Sequence, residues 1–478
     1  MINFKKYGKR CLSLFLAASM ILMPAVQTFA EEETAAATTD STQTEGEDRE
    51  TQRQKCYAIA PDSNSVENWP QGPATYADSA IVMDMNSGAV LYSKQIEKKH
   101  YPASITKLLT TLVALDNAEL TDTVEFSQDS ISFLEYGDAH IGMTPGEQIS
   151  MEDALYAVLL ASANEVSYAV AESVGKKMGG GYDTFIQAMN DESEKLGCTG
   201  SHWTNANGLH DEQHYTTAHD MARIGAAVYQ KEAFRTISQS LSHTIPVTNL
   251  VNEERTFQQK HKMLWPQNDN YYEYCKGGKT GYTDQARTTL VTMADNGDMQ
   301  LVAVVLYDFG NDAYIDTRAM FDYAYSNFSK ISLKDQKLPE GVKSYEDEDA
   351  YIVLPKSAQF SDVKAEVKED SNKDGSGTVT FTYKGQEVGS VKAAIEKTEE
   401  SSAAVLGKKK DKTTSTVVTG ISKFMKIVIG VVIAVVILLI IIVVLANYRK
   451  QIRRRRRKKG KRRNAKSGNV KRKKKRRR

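Results

Sequence analysis

Apolar residues recur along the chain with two different spacings, which predict a mixture of strands and helices. Short runs in which apolar residues alternate or stand together, bounded by Gly, Asn or Asp, predict strands. These runs cover residues 79–84, 89–92, 276–281, 288–294 and 300–307. Apolar residues at spacings of three and four predict helices instead. The helical segments cover residues 104–115, 152–161, 166–174, 216–228 and 311–327.

The pattern changes on either side of this part of the chain. Residues 331–395 contain four short apolar or alternating runs separated by Gly and Asp, which predict a small all-β domain. Residues 31–65 are rich in Thr, Glu, Ala and Gln with little to bury, which predicts a disordered linker. Residues 396–422 are polar and are expected to form a stalk.

The two ends of the chain carry a charge asymmetry that is hidden by the net charge of +2. The first 30 residues hold four basic residues and no acidic residue, and the 30 residues from Arg449 hold 21 basic residues and no acidic residue. A single soluble domain seldom separates its charge in this way, whereas a chain that crosses a membrane has a reason to do so.

Residues 1–30 combine a basic start, an apolar stretch and the small-x-small sequence Thr28-Phe-Ala30, which predicts a cleaved signal peptide. The alternative is a first transmembrane helix, which Pro24 and the short apolar stretch disfavour. Residues 427–446 are uninterrupted apolar and would be about 30 Å long as a helix, the thickness of a bilayer core. The positive-inside rule then places the basic tail in the cytoplasm and residues 31–420 outside a membrane that the chain crosses once.

A serine and a lysine three residues apart open the first predicted helix. In Tyr101-Pro-Ala-Ser-Ile-Thr-Lys107, Ser104 and Lys107 lie on one helical face, a turn apart. A hydroxyl beside an amine is the arrangement that a nucleophile and its base require. The alternative is an N-cap serine followed by a solvated lysine, since both residue types are common. The pair is therefore a hypothesis that other motifs must support.

Two further motifs carry polar residues at predicted element boundaries. Ser162-Ala-Asn164 interrupts two apolar helices, where the polar side chains either project into a cleft or cap a helix end. Lys276-Gly-Gly-Lys-Thr-Gly281 lies on or beside a strand. It lacks the Gly-x-x-x-x-Gly spacing before its lysine, so a phosphate-binding loop is excluded.

Neither a disulfide framework nor a metal site is predicted. After signal removal three widely spaced cysteines remain, and we expect buried structural thiols at Cys56, Cys198 and Cys275. His210 and His214 have the spacing of a zinc-binding pair, but the sequence between them fits neither His-Glu-x-x-His nor His-x-x-Glu-His. They also follow a loop-like Asn-Gly. We therefore interpret them as loop histidines and predict no metal and no cofactor.

Three motifs in this order, Ser104-x-x-Lys107, Ser162-x-Asn164 and Lys279-Thr-Gly281, resemble the serine-type D-alanyl-D-alanine carboxypeptidases, low-molecular-mass penicillin-binding proteins of the peptidase S11 type. The resemblance covers about residues 70–330 and, weakly, the β-rich part that follows. Further matching segments are Ile81-Val-Met-Asp84, Gly88, Val90-Leu-Tyr92, Tyr101-Pro-Ala103, Asn207-Gly-Leu-His210 and Ala218-x-Asp-Met-Ala222.

The resemblance implies an α+β fold, in which an antiparallel sheet is flanked by helices with a helical subdomain. A small all-β domain and one C-terminal transmembrane helix would follow it. The predicted domains are a signal peptide (1–30), a disordered linker (31–65), a catalytic domain (66–330), a small β-rich domain (331–395), a stalk (396–422), a transmembrane helix (423–447) and a basic cytoplasmic tail (448–478).

The resemblance also implies acyl transfer on a peptidoglycan stem peptide, with β-lactams such as penicillin as inhibitors. Ser104 would attack the carbonyl between two terminal D-alanines, D-alanine would leave, and water would release the acyl group. Lys107 would be the general base, which requires its pKa to fall by roughly three units from about 10.4. We expect burial and the like charge of Lys279 to lower it.

The remaining site residues follow from the same resemblance. Ser162 would relay a proton to the leaving amine, and Asn164 would hold the lysine base and the substrate amide. Thr280 would bind the terminal carboxylate, while the backbone N–H groups of Ser104 and Tyr282 would form the oxyanion hole. The predicted substrate-binding residues are Lys279, Thr280, Gly281 and Tyr282.

The chain departs from the family at three points. Tyr282 stands where many relatives have His or Thr, and Arg287 stands where many have glycine. The C-terminal anchor is a predicted transmembrane helix, whereas many relatives attach by an amphipathic helix.

Three other functions remain open. A peptidoglycan DD-endopeptidase would differ only in its substrate groove. A class A β-lactamase would need a deacylating glutamate in a Glu-x-x-Leu-Asn setting, which residues 192–197 do not match. A non-enzymatic membrane tether would act through the basic tail, which would contact anionic lipids at about 1 kcal/mol per nearby basic residue or bind nucleic acid unspecifically. The sequence predicts no oligomeric state.

Overall fold

The computed structural model describes residues 48–370 and 375–396. In chain order the strands are β1 (Ser79–Asp84), β2 (Val90–Lys94), β3 (Thr123–Glu125), β4 (Gln148–Ser150), β5 (Ser242–Ile245), β6 (Arg255–Gln258), β7 (Cys275–Thr283), β8 (Arg287–Asp295), β9 (Gln300–Asp308), β10 (Phe328–Ser332), β11 (Val342–Tyr345), β12 (Tyr351–Pro355), β13 (Val363–Glu369), β14 (Ser376–Tyr383) and β15 (Gln386–Ile395). The helices are α1 (Arg49–Tyr57), α2 (Lys107–Asn117), α3 (Asp129–Ser132), α4 (Met151–Tyr156), α5 (Asn164–Lys177), α6 (Tyr182–Lys195), α7 (Ala218–Tyr229), α8 (Glu232–Gln239) and α9 (Asp312–Asn327).

A five-stranded antiparallel sheet with the order β2-β1-β9-β8-β7 lies at the centre. Its two faces are buried in two hydrophobic clusters, and alternate residues of one strand enter different clusters. On β1, Ile81 packs with the helices around α2, α5 and α7, while Val82 packs with α9 and the C-terminal strands. Burial on both faces explains why β1 and β9 are unbroken apolar runs rather than alternating ones. The predicted α+β architecture, an antiparallel sheet flanked by helices, is confirmed.

The helix boundaries around the two serine motifs differ in detail from the prediction. Ala103–Thr106 form one 3₁₀ turn, and α2 begins only at Lys107. The predicted helix over 152–161 consists of α4 and a π-helical turn, Ala157–Ala161. Ser162 ends that turn in the left-handed region with φ +62° and ψ +29°, which few non-glycine residues adopt. The break predicted between the two apolar helices therefore lies at Ser162.

The prediction of a disordered linker over residues 31–65 is wrong for residues 49–57, which form α1. Arg53 binds the carboxylate of Asp312 at the start of α9, with Nε–Oδ2 and Nη2–Oδ1 distances of 2.5 and 3.2 Å. Cys56 is buried, and its carbonyl oxygen accepts a hydrogen bond from the buried Lys94 Nζ at 2.8 Å. Ion pairing and these buried contacts order a segment whose local composition is polar. Residues 31–47 lie outside the described residues.

The C-terminal strands form a four-stranded sheet, β11-β15-β14-β13, and a pair, β10-β12. They share a hydrophobic cluster with one face of the central sheet. Within it, the Trp69 ring centroid lies 5.1 Å from that of Phe328 and 6.2 Å from that of Tyr383. The boundary predicted at residue 330 falls inside β10, and the described residues belong to one compact unit.

Among residues 48–370 and 375–396, no helix combines the length and the apolar character needed to cross a membrane. The predicted signal peptide, the stalk beyond residue 396, the transmembrane helix at 423–447 and the basic tail lie outside the described residues.

Candidate active site

Ser104 and Lys107 meet at the start of α2. The Lys107 Nζ lies 3.0 Å from the Ser104 Oγ. Because Ala103–Thr106 form a 3₁₀ turn, side chains three residues apart eclipse one another, which brings the hydroxyl and the amine together. Ala103, immediately before the serine, has a φ of +50° and so stores local backbone strain next to the hydroxyl.

Lys107 has two further partners that arrive from distant parts of the chain. Its Nζ lies 2.8 Å from the Asn164 Oδ1 and 2.6 Å from the Asn207 carbonyl oxygen. Both oxygens can only accept hydrogen bonds. If the amine is neutral, these two oxygens accept hydrogen bonds from its two N–H groups. The nitrogen lone pair can then accept the proton of the Ser104 hydroxyl. The geometry therefore suits proton transfer from serine to lysine.

Burial is the main cause of the low pKa of Lys107. The side chain is fully buried, and loss of hydration lowers its pKa from 10.5 to about 7. The charge of Glu165 raises this pKa and that of Lys260 lowers it. Lys279, which we expected to supply the like charge, has its own pKa lowered by the charge of Lys107. The fall in the Lys107 pKa comes mainly from burial, and Lys260 is a contributing cation.

Ser162 and Lys279 form a second serine–lysine contact. The Lys279 Nζ donates to the Ser162 Oγ at 2.9 Å and to the Thr280 carbonyl oxygen at 2.8 Å. Burial lowers the pKa of Lys279 well below its usual value, and the nearby charges of Lys107 and Lys260 lower it further. The left-handed backbone of Ser162 ends the π-helical turn and so directs its side chain toward β7.

Strand β7 runs against the backbone of the serine turn. A Cβ placed on Gly281 would lie 2.9 Å from the Ser104 backbone nitrogen and 2.4 Å from the Thr289 Oγ1, so only glycine fits. Thr280 lies half-buried beside it on the strand, and the Tyr282 side chain is 56% exposed with its hydroxyl donating to the Asp284 carboxylate at 3.1 Å. The strand therefore carries Lys279, Thr280, Gly281 and Tyr282 past the serine.

Gly208 supports the serine turn from the other side. It has a φ of +83°, and a Cβ at this position would lie 1.9 Å from the Ala103 carbonyl oxygen and 3.0 Å from the Ser104 nitrogen. The loop at residues 205–210 thus approaches the backbone of the serine more closely than a side chain would permit.

We expect Gly208→Ala to slow the acylation of Ser104 by penicillin, because the added methyl group must displace the Ala103–Ser104 peptide. A misplacement of about 1 Å at a reacting group costs on the order of 100-fold in rate. The control is Gly297→Ala, which has a similar φ of +88° but meets nothing within 4 Å. Stopped-flow acylation kinetics should separate the two variants. Equal rates in both would show that the close approach at Gly208 has no part in acylation.

Two groups beside Lys107 were missed at the level of sequence. The Asn207 acceptor is a backbone carbonyl, which has no side-chain signature, although Asn207 lies in the Asn-Gly-Leu-His segment noted above. Glu165, directly after Asn164, is fully buried, and its Oε1 accepts a hydrogen bond from the Ile141 backbone N–H at 2.7 Å. An acidic residue next to a motif asparagine was the available signal.

His210 and His214 do not face one another as a metal-binding pair would. His214 is buried, with Nε2 2.8 Å from the Thr106 Oγ1 and Nδ1 accepting from the Thr204 N–H at 3.0 Å. Burial lowers its pKa to about 3. The His210 ring lies edge-on to the Tyr101 ring at 4.6 Å. Each histidine therefore has a structural partner. The three cysteines in the described residues are buried and free.

Arg287, one of the sequence departures noted above, occupies a backbone conformation that favours glycine. It begins β8 with a φ of +55°, which glycine adopts without strain. Its Nη2 lies 3.4 Å from the Gln52 Oε1 of α1. The Arg287 side chain therefore connects the hairpin between β7 and β8 to helix α1.

Comparison with known proteins agrees with this geometry. Residues 66–310, just over half of the chain, match the D-alanyl-D-alanine carboxypeptidase family, peptidase S11. The chain is 28% identical over 340 residues to D-alanyl-D-alanine carboxypeptidase DacF of Bacillus subtilis (strain 168), which covers 66% of this chain and 80% of that protein. It is 32% identical over 267 residues to D-alanyl-D-alanine carboxypeptidase DacB2 of Mycobacterium tuberculosis (strain H37Rv), which covers 54% of this chain and 84% of that protein.

Among solved structures, a D-alanyl-D-alanine carboxypeptidase from Mycobacterium tuberculosis H37Rv aligns with 31% identity and a TM-score of 0.48, covering 56% of this chain and 96% of that one. The assignment rests on the sequence matches. Since the family match spans the three motifs and half of the residues, the chain belongs to the D-alanyl-D-alanine carboxypeptidase family, peptidase S11.

Proposed function

We propose that this serine-type D-alanyl-D-alanine carboxypeptidase removes the terminal D-alanine of peptidoglycan stem peptides through an acyl-enzyme on Ser104. The observation that carries the proposal is the environment of Lys107. Its buried amine has a pKa near 7, lies 3.0 Å from the Ser104 Oγ and is held by two acceptor oxygens. That arrangement supports a neutral amine whose lone pair faces the hydroxyl.

In the acylation step, the Ser104 Oγ attacks the carbonyl carbon between the two D-alanines while Lys107 takes its proton. The negative oxygen of the tetrahedral intermediate would be bound by the backbone N–H groups of Ser104 and Tyr282. The C–N bond then breaks, and the proton passes from Lys107 through Ser162 to the departing D-alanine amine. Lys279 supports this relay because it holds the Ser162 hydroxyl at 2.9 Å.

In the deacylation step, water attacks the ester carbonyl and gives its proton to Lys107. The C–O bond breaks, and the Ser104 Oγ recovers a proton from the Lys107 ammonium. The nucleophile and its base return to their starting protonation states, so each turnover consumes one water molecule.

Three further residues are proposed to orient the substrate. Asn164 turns its Oδ1 to Lys107, which leaves its Nδ2 to bind the carbonyl of the substrate amide. Thr280, half-buried on β7, would bind the terminal carboxylate. Gly281 leaves room for the substrate beside Ser104, since any Cβ there would fill the space near the serine nitrogen.

The pKa of Lys107 predicts how acylation depends on pH. The neutral amine is the active form, so the rate should rise with pH through about 7 and level off above it. Below the midpoint the rate should fall by about tenfold per pH unit as the amine becomes protonated. Acylation by penicillin measured from pH 5 to pH 9 tests this. A rate that is flat below pH 7 would argue against Lys107 as the base.

The activity itself is tested with the full-length chain and a synthetic pentapeptide ending in D-Ala-D-Ala. Mass spectrometry should show loss of a single D-alanine. A cross-linked stem-peptide dimer is the second substrate. Cleavage of the dimer alone would identify an endopeptidase instead, and no cleavage of either would contradict the proposed activity.

We also propose that the enzyme acts on the outer side of a bacterial cell membrane, to which a helix at 423–447 anchors it once. Support comes from the 20-residue apolar run and from the basic tail after it. The tail would remain in the cytoplasm, where its basic residues would contact anionic lipids. Protease added to intact cells should then digest the catalytic domain and spare a tag on the tail.

A further inference from the structure

A cavity of about 310 Å³ lies where three segments of the chain leave the candidate active site. The segment that enters the serine turn contributes Tyr101, three residues before Ser104. The hairpin between β7 and β8 contributes Gln285, and the loop whose backbone contacts Lys107 continues to Glu212. The cavity therefore adjoins the site at the end of β7.

Aromatic rings form the walls of this cavity, and exposed side chains form its rim. The half-buried rings are His100, Tyr101, Tyr215 and Tyr307, and the exposed side chains are Lys99, Glu212 and Gln285. Burial lowers the pKa of His100, so its ring is uncharged at neutral pH. Among the described residues that line the cavity, Lys99 is therefore the cation and Glu212 the anion.

These two charges are available to a ligand. The Lys99 Nζ lies 4.0 Å from the centroid of the Tyr215 ring, and within residues 48–370 and 375–396 neither Lys99 nor Glu212 forms an ion pair. Apolar walls with a few polar groups at fixed positions are typical of small-molecule sites. The lining is complementary to a chain of methylene groups that ends in both an ammonium and a carboxylate.

The direction of the bound stem peptide follows from the proposed function, on which this inference rests. Thr280 would bind the terminal carboxylate and the Tyr282 N–H the oxygen of the attacked carbonyl, so the acyl part continues along β7 toward Gln285. Three residues of strand span about 10 Å, and two residues of extended peptide span about 7 Å. A long side chain on the residue before the penultimate D-alanine bridges the remaining distance to the cavity.

We propose that this cavity is a subsite for the third residue of the stem peptide, and that it selects a side chain ending in both an ammonium and a carboxylate, as diaminopimelate does. Glu212 binds the ammonium, Lys99 binds the carboxylate, and the rings of Tyr101 and Tyr215 contact the methylene groups. A side chain with an ammonium alone leaves Lys99 without a partner and places two positive charges in one cavity.

The test is the release of D-alanine by the full-length chain from three pentapeptides that differ only at the third side chain. One carries free diaminopimelate, the second its side-chain carboxamide and the third its side-chain N-acetyl derivative. The wild type should have a kcat/KM on the order of tenfold higher for the free side chain than for either derivative, because each derivative loses one hydrogen bond between charged groups.

Two variants separate the two charges. Lys99→Gln should lose the preference over the carboxamide and keep the preference over the N-acetyl peptide, and Glu212→Gln should do the reverse. The matched controls are Lys330→Gln, where the lysine lies 4.8 Å from the centroid of the Tyr351 ring, and Glu194→Gln, an exposed acid of α6. Both controls should keep the ratios of the wild type.

An equal fall in kcat/KM for all three peptides in the Lys99 and Glu212 variants would indicate a structural role and would overturn the inference. Equal kcat/KM values of the wild type for the three peptides would overturn it as well, while leaving the proposed activity intact. Failure of the wild type to release D-alanine from any of them would instead contradict the proposed function, and the inference with it.

Discussion

Ser104→Ala should abolish covalent labelling by penicillin and all release of D-alanine. The substitution removes the atom that is proposed to form the acyl bond, and within residues 48–370 and 375–396 no other side-chain hydroxyl is hydrogen-bonded to the Lys107 Nζ. Since the Oγ contributes little to packing, we expect the variant to fold normally. Mass spectrometry of the intact chain after incubation with penicillin should show the adduct on the wild type and none on the variant.

The control for this result is Ser240→Ala, a partly buried serine after α8 whose hydroxyl contacts the Thr236 carbonyl oxygen at 3.0 Å. The Ser240→Ala variant should form the penicillin adduct in the same yield as the wild type. An adduct of unchanged yield on Ser104→Ala would end the proposal that Ser104 is the nucleophile. Rapid hydrolysis of penicillin by the wild type, without a lasting adduct, would favour the β-lactamase alternative.

Lys107→Ala should slow acylation by about 10²- to 10⁴-fold, the range that a positioned general base contributes. The amine is the group in contact with the Ser104 Oγ, and it also supplies the hydrogen-bond donors for Asn164 and Asn207. Leaving those two buried acceptors unpaired costs about 1–3 kcal/mol each, so a lower melting temperature is expected as well. Stopped-flow acylation and thermal unfolding measure the two effects separately.

Lys107→Met distinguishes lost chemistry from lost packing, because it keeps most of the apolar stem in the fully buried site. Its Ser104 should be acylated as slowly as in Lys107→Ala, while its melting temperature should lie closer to that of the wild type. Lys177→Ala, which removes an exposed lysine paired with Asp122 at 2.6 Å, is the control for both. Acylation at the wild-type rate in a folded Lys107→Met chain would rule out the amine as the base.

The contacts that could be predicted from sequence are the ones that depend on local spacing. Ser104 and Lys107 are three residues apart, so any helical turn brings them together. The break at Ser162 could be seen because two apolar helical patterns end and restart around it. Lys279 could be placed on a strand because continuous apolar runs follow it along the chain. Each of these inferences used only a few neighbouring residues.

What could not be predicted depends on backbone atoms or on residues far apart in the chain. The carbonyl oxygen of Asn207 binds Lys107 across 100 residues, and a backbone oxygen has no sequence signature. The cation that helps to lower the pKa of Lys107 is Lys260, which lies in no recognised motif. Helix α1 was missed because its order depends on Asp312, 259 residues away from Arg53.

Helix α1 also affects where the protein can be shortened. The family match starts at residue 66, yet Lys94 Nζ is buried beneath α1 and donates to the Cys56 carbonyl oxygen at 2.8 Å. A chain trimmed to the family boundary would uncover this ammonium group and take away one of its acceptors. It would also leave Asp312 without its guanidinium at the start of α9. Expression of a shortened chain should therefore begin at or before Asp48, because the folding unit is longer than the region that defines the family.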